Sequence, residues 1–216
     1  MLSDDGFELI PSVLDTNQIA TLRSRLCVTS GAGWRGTLSD PVVRDLASSP
    51  EMLALMSRHL GGPARLVRAI LFDKSASTNW LVPWHQDLTI AVKERADAEG
   101  YGPWSVKDGI HHVQPPVAML EQMLAIRLHL DDCDASTGAL QVIPRTHIMG
   151  RLDAAAIQRM RSISQPVLCA ARAGDALLMR PLLLHASGRA TAAERRRRVL
   201  HIEYSARELP VPLEWS

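Results

Sequence analysis

Residues 81–92 read Leu81-Val82-Pro83-Trp84-His85-Gln86-Asp87-Leu88-Thr89-Ile90-Ala91-Val92. Apolar, β-branched and aromatic residues around one proline predict an extended segment. On an extended chain residues i and i+2 project to the same face, so His85 and Asp87 present an imidazole and a carboxylate side by side. Those are metal-ligand types at a metal-ligand spacing. A His-x-Asp pair is short enough to arise by chance, however, and a second copy, His129-Leu130-Asp131, lies downstream. For either copy the plain alternative is a strand-end pair that caps a turn.

The sequence around this stretch repeats the strand pattern. Leu66 to Phe72, Leu81 to Val92, Met123 to Leu130, Ala139 to Ile143, Val167 to Ala171, Ala176 to Leu184 and Arg197 to Tyr204 are short apolar or alternating runs separated by Gly, Pro, Asp and Ser. Seven or eight such strands predict a sandwich or barrel. Ahead of them the first sixty residues read as helical. Asp15 or Thr16 caps a segment through Leu26, and Ser39-Asp40-Pro41 opens a second run through Leu46 to Leu60 that Gly61-Gly62 stops. A short helix is expected over Asp153 to Arg161. Residues 93–118 break the strand pattern with three glycines and three prolines, which predicts a long loop acting as a lid. No repeat, low-complexity tract or linker marks a boundary. The expected organisation is one domain over 1–216, with a helical part to about 62, a β core from 63 to 208 and the lid at 93–118.

Composition narrows the function. Lys and Arg total 24 against 23 Asp and Glu, a net charge of +1, so there is no global field to hold a nucleic acid or an anionic membrane surface. With 46% hydrophobic and 22% charged residues and a mean hydropathy of −0.01, the chain is of ordinary globular type. The first residues carry no basic segment, and no run approaches the roughly 18 apolar residues of a membrane span, so a cytoplasmic location is expected. Cys27, Cys133 and Cys169 are odd in number and widely spaced, which predicts three buried thiols and neither a disulfide framework nor a zinc cluster.

A mononuclear iron site with two histidines and one carboxylate needs its second histidine on another strand, leaving three positions open. His185, at the end of the run Ala176 to Leu184, meets that need. The run Arg195-Arg196-Arg197-Arg198 follows 10 to 13 residues later and can place one guanidinium inside the barrel to grip a carboxylate. Asp131 is only 54 residues from His185, room for about two strands beyond the expected helix, so His85 and Asp87 are the preferred pair.

At this point the sequence resembles the phytanoyl-CoA dioxygenase family of iron(II) and 2-oxoglutarate dependent oxygenases, nearly end to end. Asp5-Gly6-Phe7 with Pro11-Ser12-Val13-Leu14 is similar to the family's amino-terminal "dGf…ipg.l", and Trp84-His85-Gln86-Asp87 to its "WHqD". Arg127 to Asp132, Gly138-Ala139-Leu140 and Ile143 to His147 resemble "aLdd…nGaL…iPGsH". Gly174-Asp175, His185-Ala186-Ser187 and Arg197 to Leu200 resemble "GD…l.Hgs…RRal". The resemblance places His129 and Asp131 on the "aLdd" strand, away from the metal. It departs at Arg145, where the family carries glycine, and the chain is short; both bear on the substrate. Asp87 stands where the related halogenases carry a small residue.

The resemblance implies a mainly β protein with flanking helices around a double-stranded β-helix core of the jelly-roll, cupin-like type. It implies Fe(II) on His85, Asp87 and His185, and 2-oxoglutarate with its distal carboxylate on Arg197, which shares strand parity with Val199 and His201. Ser187, Lys74 and Asn79 are expected as further co-substrate contacts. Trp104, Lys107, Asp108, His111 and His112 of the lid, with Arg127, are expected at the substrate. His129, His147 and His201 read as hydrogen-bonded structural histidines. The expected reaction is hydroxylation of an unactivated C–H of a small polar or anionic metabolite, with O2 as co-substrate and succinate and CO2 released. The competing expectation is a non-catalytic β-helix protein that binds a small carboxylate; a zinc or manganese cupin isomerase would want more histidine ligands and no Arg197.

Overall fold

A computed structural model describes residues 2–26, 33–192 and 194–216. Cys27 lies outside the described residues; Cys133 and Cys169 are buried free thiols. In chain order the elements are α1 (Leu2–Asp5), β1 (Phe7–Ile10), α2 (Thr16–Arg25), β2 (Gly33–Trp34), α3 (Pro41–Ala47), α4 (Pro50–Leu60), β3 (Arg65–Lys74), β4 (Val82–His85), β5 (Ile90–Val92), β6 (Trp104–Lys107), β7 (Ile110–Val113), α5 (Val117–Leu120), β8 (Met123–His129), β9 (Leu140–Ile143), α6 (Ala154–Ile163), β10 (Val167–Cys169), β11 (Ala176–Met179), β12 (Leu184–Ser187) and β13 (Arg197–Ser205). The strands form a six-stranded sheet in the order β1-β11-β8-β13-β3-β2, a four-stranded sheet β10-β9-β12-β4, and a small sheet β5-β7-β6. The two larger antiparallel sheets are the faces of a double-stranded β-helix, with helices flanking the outside.

Strand parity explains why both faces of the larger sheet are filled. On β13, Leu200, Ile202 and Tyr204 face outward and pack with Leu22, Met52 and Met56 of the helices. Burying each such side chain contributes about 1.5–3 kcal/mol, and the Tyr204 hydroxyl donates to Ala47 O at 2.7 Å. Arg197, Val199, His201 and Glu203 alternate with them and face the barrel interior, as do Arg68, Ile70 and Phe72 on β3. The register sets Arg197 against Lys74 at one end of this floor and Glu203 against Arg68 at the other.

The helical part differs from expectation in two places. Phe7–Ile10 is the edge strand β1. Asp40 caps α3 and Ser49 caps α4, so the expected single run is two helices, because Pro50 disfavours helical backbone at Ser49. Gly61, at φ +73°, ends α4 as expected. The Asp15 capping box on α2 and the Asp153 cap on α6 also match.

Two expected strands are split. Pro181, which cannot donate to a ladder, lies two residues beyond Met179, and the chain leaves the six-stranded sheet there for the four-stranded one. His185 is therefore the second residue of β12 and not the end of a longer strand. The run 81–92 likewise breaks after His85 and resumes at Ile90. The segment 93–118 is not an irregular loop: β6 and β7 form a hairpin paired to β5, and α5 follows. Arg145 takes φ +68°, a left-handed backbone that accounts for the glycine of the family pattern. No helix of the described residues is long and apolar enough to cross a membrane.

Candidate active site

β4 and β12 are antiparallel neighbours with His85 directly opposite His185. The two rings are 4.2 Å apart between centroids. Each Nδ1 is 2.8 Å from the carbonyl oxygen two residues before it, Pro83 for His85 and Leu183 for His185. A carbonyl only accepts, so each Nδ1 carries the proton and each Nε2 keeps its lone pair. Asp87 lies just beyond β4, held by its N–H to Pro181 O at 2.8 Å. Beside it Gln86 donates to Leu182 O and accepts from Leu152 N, which locks the turn. The Asp87 carboxylate thereby reaches both free lone pairs, 3.6 Å from His85 Nε2 and 3.7 Å from His185 Nε2. All three ligand atoms lie within 4.8 Å of one another. Two imidazoles and one carboxylate, pre-oriented by backbone carbonyls, fit a divalent transition metal.

Electrostatics support an ionised Asp87. Burial would raise its pKa, but His185 and His85 outweigh burial and hold the carboxyl well below the usual carboxylate range. Burial lowers His185 to about 4, which keeps it neutral. His85 is also opposed by burial, but the Asp87 carboxylate raises its pKa overall.

The triad opens into a cavity of about 280 Å³ whose floor is the inner face of β3, β13 and β8. At one end Arg197 is 3% exposed, with Nη1 donating to Gly138 O and its Nε buried without a partner. Lys74 Nζ donates to Ser187 Oγ at 2.8 Å and to Gly188 O, and lies 5.3 Å from the Trp80 ring centroid. Burial, then the Arg197 charge, lowers the Lys74 pKa to about 7. Among the described residues neither buried cation is paired with a carboxylate, an arrangement that suits an anionic ligand. Gly138 completes this cradle: at φ +71°, a Cβ there would run into Gly188 O and lie 3.2 Å from Lys74 Nζ.

Further along the floor Arg127 Nη1 donates to His201 Nδ1 at 3.1 Å, and its guanidinium lies 5.4 Å from the Phe72 ring centroid. His201 Nε2 in turn donates to Glu203 at 3.1 Å, and Arg68 donates to the same oxygen at 2.7 Å. This chain of four residues spans the cavity floor.

Of the residues expected at the site, His85, Asp87, His185, Arg197, Ser187, Lys107 and Arg127 line this cavity and Lys74 adjoins it. Asn79 does not: its amide nitrogen donates to Ala190 O and its amide oxygen accepts from Ala190 N, both at 2.8 Å, so its polar atoms are used outside the cavity. Trp104 packs in the apolar cluster beneath the hairpin, beside Arg95. Asp108 pairs with Arg35 at 2.5 Å. His112 is buried in β7 with Nδ1 on Ile110 O, and its strand neighbour His111 does not reach the lining. His129 is buried with neither ring nitrogen hydrogen-bonded, contrary to expectation; burial with Arg127 and Arg197 lowers its pKa to about 3. His147 is a partial exception too, its Nδ1 being buried without a partner, whereas His201 is hydrogen-bonded as read. Asp131 is taken by Arg198, through two side-chain contacts and one backbone N–H at 2.9 Å, so the second His-x-Asp pair is structural. The other arginines of the run are paired as well, Arg195 with Asp134 and Arg196 with Asp73.

Sequence reasoning missed Arg35, Arg68 and Glu203. Glu203 and Arg68 share strand parity with Arg197 and Lys74, a signal present in the sequence, whereas Arg35 lies in a turn that no periodicity marks. A larger groove of about 760 Å³, between α2 and α3–α4, contains none of the triad.

Among solved structures the chain is similar to AviO1 from Streptomyces viridochromogenes Tue57, at 21% identity, a TM-score of 0.70 and coverage of 97% of this chain and 93% of that one. It is similar to the epimerase SnoN in complex with Fe3+, alpha ketoglutarate and nogalamycin RO, at 20% identity, TM-score 0.68 and coverage of 94% and 80%. It also resembles HygX from Streptomyces hygroscopicus with nickel and 2-oxoglutarate bound, at 19%, 0.66, and 96% and 88%. No curated protein sequence matches the chain. The family model for phytanoyl-CoA dioxygenase matches residues 2–198. With nearly the whole chain inside that match, the protein belongs to the phytanoyl-CoA dioxygenase family.

Proposed function

We propose that the protein is a non-haem Fe(II)/2-oxoglutarate-dependent dioxygenase that hydroxylates an unactivated C–H of a small polar or anionic metabolite. The observation that carries this reading is the convergence of His85 Nε2, His185 Nε2 and an Asp87 carboxylate oxygen within 4.8 Å. The expected cofactors, Fe(II) and 2-oxoglutarate, are those of the family, and two of the similar structures, SnoN and HygX, hold iron or nickel with the same 2-oxo acid.

In this reading His85, Asp87 and His185 would hold the metal. Iron with 2-oxoglutarate and O2 would supply the oxidative decarboxylation that yields succinate and CO2 and inserts oxygen into the substrate C–H bond. Arg197 would take the distal carboxylate of 2-oxoglutarate, with Ser187 and Lys74 beside it. Arg127 and Lys107 would face the substrate. The β6–β7 hairpin would cover the cavity and exclude water. One structure of the same fold is an epimerase, so this fold serves more than one outcome, and hydroxylation is the outcome proposed here.

The test is oxygen-dependent conversion of 2-oxoglutarate to succinate by the Fe(II)-loaded protein, with His85→Ala as control. Retention of 2-oxoglutarate unchanged in air would indicate a binding protein and not an enzyme.

A further inference from the structure

Resting on the oxygenase reading above, we propose that the substrate carries an oxyanion, a carboxylate or a phosphate, which docks on Lys107, Arg35 and Arg68 at the end of the cavity opposite Arg197. These three cations come from β6, the turn after β2, and β3, and all line the cavity that holds the triad.

Strand geometry separates this cluster from the co-substrate cradle. Lys74 and Arg68 face the same way on β3 but are six residues apart, roughly 20 Å at the rise of an extended chain. Their partners Arg197 and Glu203 repeat that spacing on β13. A five-carbon diacid held by Arg197 and by the metal cannot reach Arg68, so the second cluster is left for another molecule.

Two of the three cations already meet a carboxylate, Arg68 with Glu203 and Arg35 with Asp108, and Lys107 is in no ion pair among the described residues. Lys107 Nζ makes a hydrogen bond to Thr89 Oγ1, at 3.3 Å. Arg68 gives one amino group to Glu203, while its Nε is buried with no hydrogen-bond partner. Arg35 is held by the exposed Asp108, whose backbone at φ +52° forms the tip of the hairpin. An incoming oxyanion would draw Lys107 and Arg35 together and bring the hairpin down with it.

The experiment uses the Fe(II)-loaded full chain with 2-oxoglutarate and a small-molecule cell extract split on ion-exchange resins into acidic, neutral and basic fractions. Succinate release above the uncoupled rate is the readout. The acidic fraction should stimulate release, and Lys107→Gln and Arg35→Gln should each raise the amount needed by about tenfold or more. Both variants should keep the anaerobic Fe(II)–2-oxoglutarate absorption band, which shows that they are folded and loaded. Phosphatase treatment of the active fraction separates the two sources: activity lost marks a phosphate monoester, activity kept marks a carboxylate. Stimulation by the neutral or basic fraction alone, no stimulation by the acidic one, or variants that respond like wild type would overturn the proposal while the band is present. Absence of the band in wild type would instead overturn the oxygenase reading beneath it.

Discussion

His85 and His185 are register partners on β4 and β12, and both tie Nδ1 to the carbonyl two residues earlier. One local device, used twice on adjacent antiparallel strands, aims two unprotonated Nε2 atoms at the same carboxylate. The pair needs no further support from the rest of the site to be oriented for a metal, because the backbone itself sets each tautomer.

Metal binding should therefore stabilise the fold. Adding Zn(II) or Ni(II) at about a hundred times its dissociation constant should contribute about 2.7 kcal/mol, seen as a rise in Tm that a chelator reverses. His85→Ala and Asp87→Ala should abolish both the rise and turnover. An undiminished metal-dependent rise in either variant would place the metal elsewhere.

Arg197→Met should weaken 2-oxoglutarate binding by about 2–5 kcal/mol, roughly thirtyfold or more, since it leaves a carboxylate without its buried partner. Without 2-oxoglutarate the same variant should be no less stable than wild type, because it removes a buried cation that no carboxylate pairs among the described residues. Calorimetric titration and thermal melts read the two effects separately. Arg197→Lys should not rescue the affinity, as an ammonium lacks the bidentate fork.

Lys74 gives the pH dependence. Its pKa is lowered to about 7, by burial and then by Arg197, against 10.5 in the unfolded chain. Between pH 7 and 10.5 the unfolded state holds more protons, so stability without ligand should rise with pH across that window. A bound dianion favours the charged lysine, so 2-oxoglutarate binding should take up protons above pH 7 and weaken as pH climbs. Titrations in buffers of different ionisation enthalpy measure the uptake; Lys74→Met should remove it.

Asp131→Asn should cost about 1–3 kcal/mol of stability by weakening the pairing to Arg198, yet leave one metal bound per chain. Metal analysis of the purified variant decides this. Loss of the metal would revive the His129–Asp131 alternative.

Gly138→Ala should destabilise the fold by about 1–3 kcal/mol through its left-handed backbone. It should also raise the KM for 2-oxoglutarate, because the new methyl crowds Lys74 Nζ. Denaturant melts and a co-substrate titration check both.

How much of this was legible in the sequence follows from the range of each interaction. Arg197 could be chosen among four arginines because strand parity is local, and the outward neighbours Arg196 and Arg198 do find aspartates. The break at Pro181 is local too, but the apolar run on both sides of it hid the change of sheet. The β6–β7 hairpin escaped because its strands are only four residues each and sit among the glycines and prolines of 93–118, so the short alternation Trp104-Ser105-Val106-Lys107 reads as part of a loop. Asn79 was misread because its partner, Ala190, is 111 residues away. Arg35 and Arg68 meet Lys107 only through the closure of the barrel, which no stretch of sequence records.

The most direct measurement is an anaerobic titration of the metal-free protein with Fe(II) and 2-oxoglutarate, following the weak visible absorption of the chelate. The account predicts a band at one equivalent of iron in wild type, absent in His85→Ala and requiring far more 2-oxoglutarate in Arg197→Ala. Well-folded wild-type protein that forms no band would contradict it.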